Sequence, residues 1–341
     1  MIIGLQNDTI TTSSHDLDEV VIVSHKEGGK RSIKGQVATI DEHLQELNHV
    51  ELVRRGSYAW EPTVNNMQTE RLSTTIDGMK IFYACTDKMD PVTSYVESGN
   101  LQSISLNSGL NGNPQATGNI GGALDLKLRK EGFGSDAFRL STQVGYETNG
   151  NVQVYGADAS HSSHRFYVNG GAFYRHADNY KAGGNRKVDF SKFQKVNAFV
   201  NGGYRVAAND AIETTFIYDR ASDVGYPALN MDVSKAEAFI TSLAYKHLFE
   251  DSKLESWETK GYYNHITHVM DDTTRPNVEI HMDMPGESWT AGAYSLLTGE
   301  YGKHQAQLNL DSYYNRLFAD MTMYPVARHP CIWSHGLMWG R

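Results

Sequence analysis

An α+β domain followed by the strands of an antiparallel transmembrane β-barrel is the fold class that this sequence predicts, and three observations predict it. From residue 132 onward apolar and polar residues alternate with the period of a strand that has one face of each kind: Phe138, Leu140, Thr142, Val144 and Tyr146 against Arg139, Ser141, Gln143 and Glu147. Roughly nine such segments recur up to residue 324, often ending in Tyr, Trp or Phe, as at the aromatic girdles of a barrel in a bilayer. The connections between them alternate short and long, whereas residues 31–131 mix short helical and strand signals without any repeat.

Taken in order, residues 1–30 read as a flexible N-terminus. Met1 to Asp8 lacks the basic n-region and the sustained apolar h-region of a secretory signal. Residues 7–14 are polar and β-branched with no periodic pattern, and they lead into a strand-forming run, Leu17-Asp18-Glu19-Val20-Val21-Ile22-Val23-Ser24. Such a run is either an edge strand or a peptide that adds itself to the sheet of another protein.

Residues 31–131 read as a compact domain of ordinary size. Asp41 precedes Leu44, Leu47 and Val50 at helical spacing, Val64–Gln68 follows Pro62, and Leu72–Ile76 is a strand entering a tight Asp77-Gly78 turn. Beyond a glycine-rich stretch from Gly109 to Gly122, Ala123–Leu128 alternates as a strand. Residues 132–324 form the barrel wall. Its short links fall at 160–164, 207–211, 250–253 and 299–303, and its long ones at 176–193, 221–237 and 269–288, with 149–151 the one short link on the long side. A transmembrane barrel has short turns on one side of the membrane and long loops on the other, whereas a soluble sandwich gives no reason for that alternation. Residues 325–341 carry none of it and form an atypical tail.

Composition narrows the function. The 341 residues carry a formal charge of −9 with scattered Lys and Arg, so there is no basic stripe for nucleic acid. Two Cys exclude a disulfide scaffold, and no GxSxG or HExxH motif marks an enzyme.

What chemistry there is lies in soft donors. Tyr83-Ala84-Cys85-Thr86-Asp87-Lys88-Met89-Asp90-Pro91 places a thiol and a thioether four residues apart, in a segment too broken by Asp and Pro for a core helix. Such donors favour Cu(I), zinc or iron–sulfur chemistry over magnesium or calcium, although a Cys beside a Met also packs as an ordinary hydrophobe. His268 and Met270 end a strand at the mouth of the third long loop, and their spacing of two puts them on one face. Together the pairs make a four-donor set. His281, Met282 and Met284 follow in what reads as a mobile loop, and Met321 and Met323 lie at another strand end.

At this point the sequence resembles the TonB-dependent outer-membrane receptors, and within them the copper receptors. Leu17–Val23 resembles a TonB box, Ser73–Gly78 the segment of the plug before its apical loop, and Gly118–Leu124 the plug's closing glycine motif. Cys85-Thr86-Asp87-Lys88-Met89 is similar to the CxxxM of the copper receptors' plug and His268-Val269-Met270 to the HxM of their barrel. The resemblance implies uptake of copper, as the ion or a chelate, across the outer membrane, with copper as Cu(I) on Cys85, Met89, His268 and Met270. It further implies that Asp18, Glu19, Val20, Val21, Ile22 and Val23 pair with the energy-transducing protein TonB, and that outer-membrane lipid surrounds the wall. One departure is expected: the family's barrel has 22 strands, so a wall of roughly nine is incomplete. The same plug features also fit a siderophore or vitamin receptor, or an inactive receptor fragment.

Overall fold

The computed structural model describes residues 13–16, 39–45, 47, 50–108, 120–134, 136–250 and 252–325. The strand-forming run at 17–24 and the tail beyond 325 lie outside them.

Two sheets organise the molecule. The inner one has the order β1-β6-β7-β4-β5, built from β1 (Ser13–Asp16), β4 (Leu72–Ile76), β5 (Met79–Lys80), β6 (Leu101–Ser108) and β7 (Gly122–Leu128). Pairing is antiparallel except between β4 and β7, which are parallel. Beside it stand one short helix, α1 (Ile40–Gln45), and the hairpin of β2 (Val50–Val53) and β3 (Glu61–Val64). The expected Asp77-Gly78 turn is present, with both residues at positive φ (51° and 77°) as a two-residue hairpin turn requires.

One local expectation is corrected. The helix ends at Gln45, and Val50 starts a strand instead of continuing it. Pro62 stands in β3, and Val64 ends that strand and closes a turn by exchanging main-chain hydrogen bonds with Met67. Short apolar spacings fit either period, and here strand pairing wins.

The outer sheet is the wall. It runs β8 (Ala137–Glu147), β9 (Val152–Ser162), β10 (Phe166–Ala177), β13 (Phe193–Arg205), β14 (Asp210–Ser222), β15 (Asp232–Leu248), β16 (Leu254–Asp271), β17 (Ile280–Tyr301) and β18 (His304–Ala319), every neighbour antiparallel. A small hairpin of β11 (Lys181–Ala182) and β12 (Arg186–Lys187) decorates the β10–β13 loop, and β19 (Thr322–Pro325) adds to the far end of β17. Among the described residues this sheet does not close, and β8 and β18 are its outer strands.

Burial along the wall is inverted relative to a soluble sheet. On β13 the buried face carries Phe193, Lys195, Asn197, Phe199 and Asn201, while Val196, Val200 and Tyr204 are exposed. On β14 Glu213, Thr215 and Asp219 are buried beside exposed Ile212 and Phe216, and β15 exposes Phe239 and Leu243. A polar face turned inward and an apolar face turned outward is what a barrel wall in lipid requires. No helix among the described residues is long and apolar enough to cross a membrane, so any crossing falls to these strands. The inward face rests on the inner sheet, and one apolar cluster joins Ile76, Ile104 and Leu126 to Phe173, Phe199, Ile240 and Ile266 of the wall.

Candidate metal centre

The segment from Ile81 to Pro91 leaves β5 and climbs along the inner face of the wall. Its shape is set by two devices. The Lys88 N–H donates to the Cys85 carbonyl at 3.0 Å, closing a turn with Lys88 at φ 57°, and the Lys88 ammonium pairs with Glu61 (3.5 Å) and Glu70. The Asp90 carboxylate then folds back, accepting the N–H groups of Ala84 (3.2 Å) and Cys85 (3.1 Å) and the Tyr95 hydroxyl (2.9 Å). Cys85 and Met89 are held on one buried surface, exposed by 4% and 5%.

From the wall, β16 supplies the facing residues. His268 and Met270 are both inward, exposed by 2% and 0%, as their spacing of two predicts. The liganding atoms of Cys85, Asp90 and His268 all lie within 4.8 Å of one another. Met89 and Met270 belong to the same buried cluster as Cys85, together with Met231, and Met282 and Met284 pack against its margin. The structure thus places Cys85 and His268 within 4.8 Å, and Met89 and Met270 in the buried cluster that holds Cys85.

Both ring nitrogens of His268 lack a hydrogen-bond partner among the described residues, and Nδ1 stands 3.6 Å from the Asp90 carboxylate, beyond hydrogen-bond range. A buried imidazole with neither nitrogen satisfied is costly, and a metal ion is one thing that satisfies it. Burial, with a smaller contribution from Asp90, pushes the Cys85 thiol up to about 12. Its sulfur therefore stands protonated, and a soft cation binds by displacing that proton.

Three residues of the site carried no signal that sequence reasoning used. Asp90 lies beside the CxxxM spacing and reads there as a helix breaker. Tyr95 donates to both the carbonyl and the carboxylate of Asp90. Gly286, opposite His268 on β17, is the third: a Cβ there would run into the Ala84 carbonyl oxygen, so the absent side chain is what lets the Cys85 turn approach the wall. The methionines beyond it also move relative to expectation. Met282 and Met284 lie on β17, where Met284 faces Met270 and Met282 faces Met323 across the ladder, so they belong to a paired rim and not to a loop. The wall strands extend past the stretch where apolar alternation marks them, which hid this rim from a periodicity search.

No family model and no curated protein matches the sequence. Solved structures do match its fold. The copper transporter OprC superposes with a TM-score of 0.81 at 19% identity, covering 94% of this chain and 48% of that one. A double mutant of the Serratia marcescens hemophore receptor HasR, in complex with its hemophore HasA and heme, gives 0.72 at 14% identity over 93% of this chain and 46% of its own. The unliganded ferric citrate transporter FecA gives 0.66 at 11% over 95% and 50%. The chain spans about half the length of these structures. Its fold is therefore that of the TonB-dependent outer-membrane receptors, an inner plug against the strands of a β-barrel wall.

Proposed function

We propose that this chain takes up copper across the outer membrane in a TonB-dependent manner, and that Cys85 and Met89 of the plug hold the ion together with His268 and Met270 of the wall. The observation that carries the reading is the burial of a thiol and an unpartnered imidazole within 4.8 Å of each other, with both thioethers in the same cluster. Two sulfur ligands of the thioether type, one thiolate and one imidazole suit Cu(I), which has no demand for hard oxygen donors. OprC, a copper transporter that shares this fold, points the same way. Copper seated between plug and wall contacts both bodies at once, so its arrival and departure are coupled to how the plug sits. The run Asp18–Val23, outside the described residues, would hand that state to TonB by strand addition at the periplasmic side. The domain division at residues 31–131 and 132–324 belongs to the same proposal.

A chelate receptor is the second reading, and one feature favours it. A cavity of about 320 Å³ lies among the long-loop residues Asn179, Phe190, Lys192, Asp223, Ser234 and Thr273, within the size range of small-molecule sites. Titrating the purified chain with Ag(I), a redox-inert stand-in for Cu(I), separates the two. One ion bound per chain, lost in Cys85→Ala and in His268→Ala, is the expected result. Unchanged stoichiometry and affinity in Cys85→Ala would sink the copper site and leave the chelate reading.

A further inference from the structure

Asp90 stands where the two halves of the metal centre meet. On the plug side one of its oxygens takes the Cys85 N–H, while the other takes the Ala84 N–H and the Tyr95 hydroxyl. Burial, and then the adjacent Asp90, hold the Tyr95 phenol well above its ordinary range, so that hydroxyl stays a donor. On the wall side the same oxygen that receives Ala84 and Tyr95 faces Nδ1 of His268 at 3.6 Å. Asp90 itself is only 1% exposed, so bulk solvent does not compete for these partners.

A neutral imidazole carries one N–H, and metal ions take the nitrogen that does not carry it. An ionised carboxylate only accepts, and its negative charge 3.6 Å from Nδ1 favours an N–H over a lone pair at the ring nitrogen that faces it. We propose that Asp90 is the positioning residue of the site: it holds the Cys85–Met89 turn through two main-chain N–H groups and fixes His268 as the Nδ1–H tautomer, leaving the Nε2 lone pair for the ion. This inference rests on the metal reading above. At 3.6 Å the pair stands a few tenths of an ångström outside hydrogen-bond range, and closing that gap would give the carboxylate–histidine–metal arrangement that commonly tunes such ligands.

Asp90→Asn tests it because the substitution keeps shape and one acceptor oxygen but replaces the other oxygen with a donor. Whichever way the amide turns, the negative charge that favours a proton on Nδ1 is gone, so the Nδ1–H tautomer loses its support and the Nε2 lone pair is less available to the ion. The expected results are a roughly 10- to 100-fold weaker Ag(I) affinity, of the size that outer-shell substitutions produce, and an inverted His268 tautomer. Both are read on the full chain, the second by nitrogen NMR of histidine-labelled protein with His268→Ala assigning the signal. Wild-type affinity in Asp90→Asn, or weaker affinity with the tautomer unchanged, overturns the proposal. Should Asp90→Asn fail to fold, the wild-type spectrum decides alone: an Nε2–H tautomer in the Ag(I)-loaded chain refutes it, an Nδ1–H tautomer supports it. Loss of Ag(I) in Cys85→Ala with none in Asp90→Asn defeats this inference only, whereas no loss in Cys85→Ala defeats the copper site beneath it.

Discussion

The plug meets the wall in two buried regions of opposite character. Around Glu97 the contact is ionic and closed: its carboxylate pairs with Arg175 (2.8 Å) and Lys195 (2.8 Å), Lys195 also reaches Asp219 (3.2 Å) and donates to the Ser94 carbonyl, and Asn197 bonds Asn100, Tyr95 and Asp219. Around Cys85 the contact is soft and open, with two thioethers, a protonated thiol and an imidazole whose nitrogens have no partner among the described residues. The chain Pro91–Val96, which joins the two regions, is a single 3₁₀ turn and its flanks. A satisfied charge network fixes where the plug sits; an unsatisfied donor set is available to a ligand. The two regions are buried alike and differ in what burial leaves behind: paired charges in one, and in the other an imidazole with neither nitrogen partnered among the described residues.

Breaking the ionic contact should have the largest effect. Glu97→Ala removes the carboxylate that Arg175 and Lys195 share in a buried setting, and removing one member of such a set costs about 3–5 kcal/mol. Thermal unfolding of the detergent-solubilised chain should show the loss; a change below about 1 kcal/mol, the size of an exposed pair, would mean that water reaches the contact.

Titration separates the groups within that region. Burial would raise the Glu97 carboxyl, but Arg175 and Lys195 outweigh it and hold it at about 2, so its contribution is present above about 4.5 and lost as pH falls toward 2. Asp41, which accepts the Trp60 N–H, goes the other way: burial pushes it up to about 7. A raised carboxyl stabilises fully below its unfolded value, near 4, and that stability drains away as pH rises to about 7. At roughly 1.4 kcal/mol per pKa unit the ceiling is about 4 kcal/mol. Asp41→Asn keeps the acceptor and removes the charge, so its unfolding free energy should be flat between about pH 4 and 7 where the wild type declines. Parallel slopes in the two proteins would remove Asp41 from the account.

Gly286→Ala probes the seam beside the open region. The added methyl meets a backbone oxygen, which cannot rotate away, so the Cys85 turn or β17 must shift. Overpacking of this kind costs about 1–3 kcal/mol. An Ag(I) affinity that falls together with stability is expected, and wild-type values for both would show that the close approach has no bearing on the donor set.

How much of this was legible beforehand follows from the range of each signal. The wall was readable because alternation is local, and the nine strands from β8 to β18 fall where Phe138–Glu147 and its later copies indicate. The pairing of His268 with Met270 on one face needed only period 2. The meeting of Cys85 with His268 was reachable only through a family resemblance, because no local pattern links residues 183 positions apart. Asp90 and Gly286 were illegible for a different reason: their roles are contacts to main-chain atoms of the same turn, and nothing in an Asp before a Pro or a Gly after a Pro states which amide or carbonyl will be near. The strand β1 pairs with β6 at the edge of the inner sheet, and no periodicity in its sequence announces it.

The smallest effect is the most discriminating, because it has the opposite sign. His268→Leu replaces a buried ring, with two nitrogens unpartnered among the described residues, by an apolar side chain of similar size on the same inward face as Ile266 and Met270. Burying an unsatisfied polar group costs about 1–3 kcal/mol, so its removal should leave stability unchanged or raise it by about 1 kcal/mol while abolishing Ag(I) binding. Glu97→Ala, one 3₁₀ turn and a few residues away, should do the reverse: lower stability steeply and leave the donors in place. Running both variants through the same thermal and Ag(I) titrations turns the contrast between the regions into a double dissociation. If His268→Leu is destabilised as much as Glu97→Ala, the imidazole has partners that hold the fold together, and its place is with the ionic contact and not with a ligand.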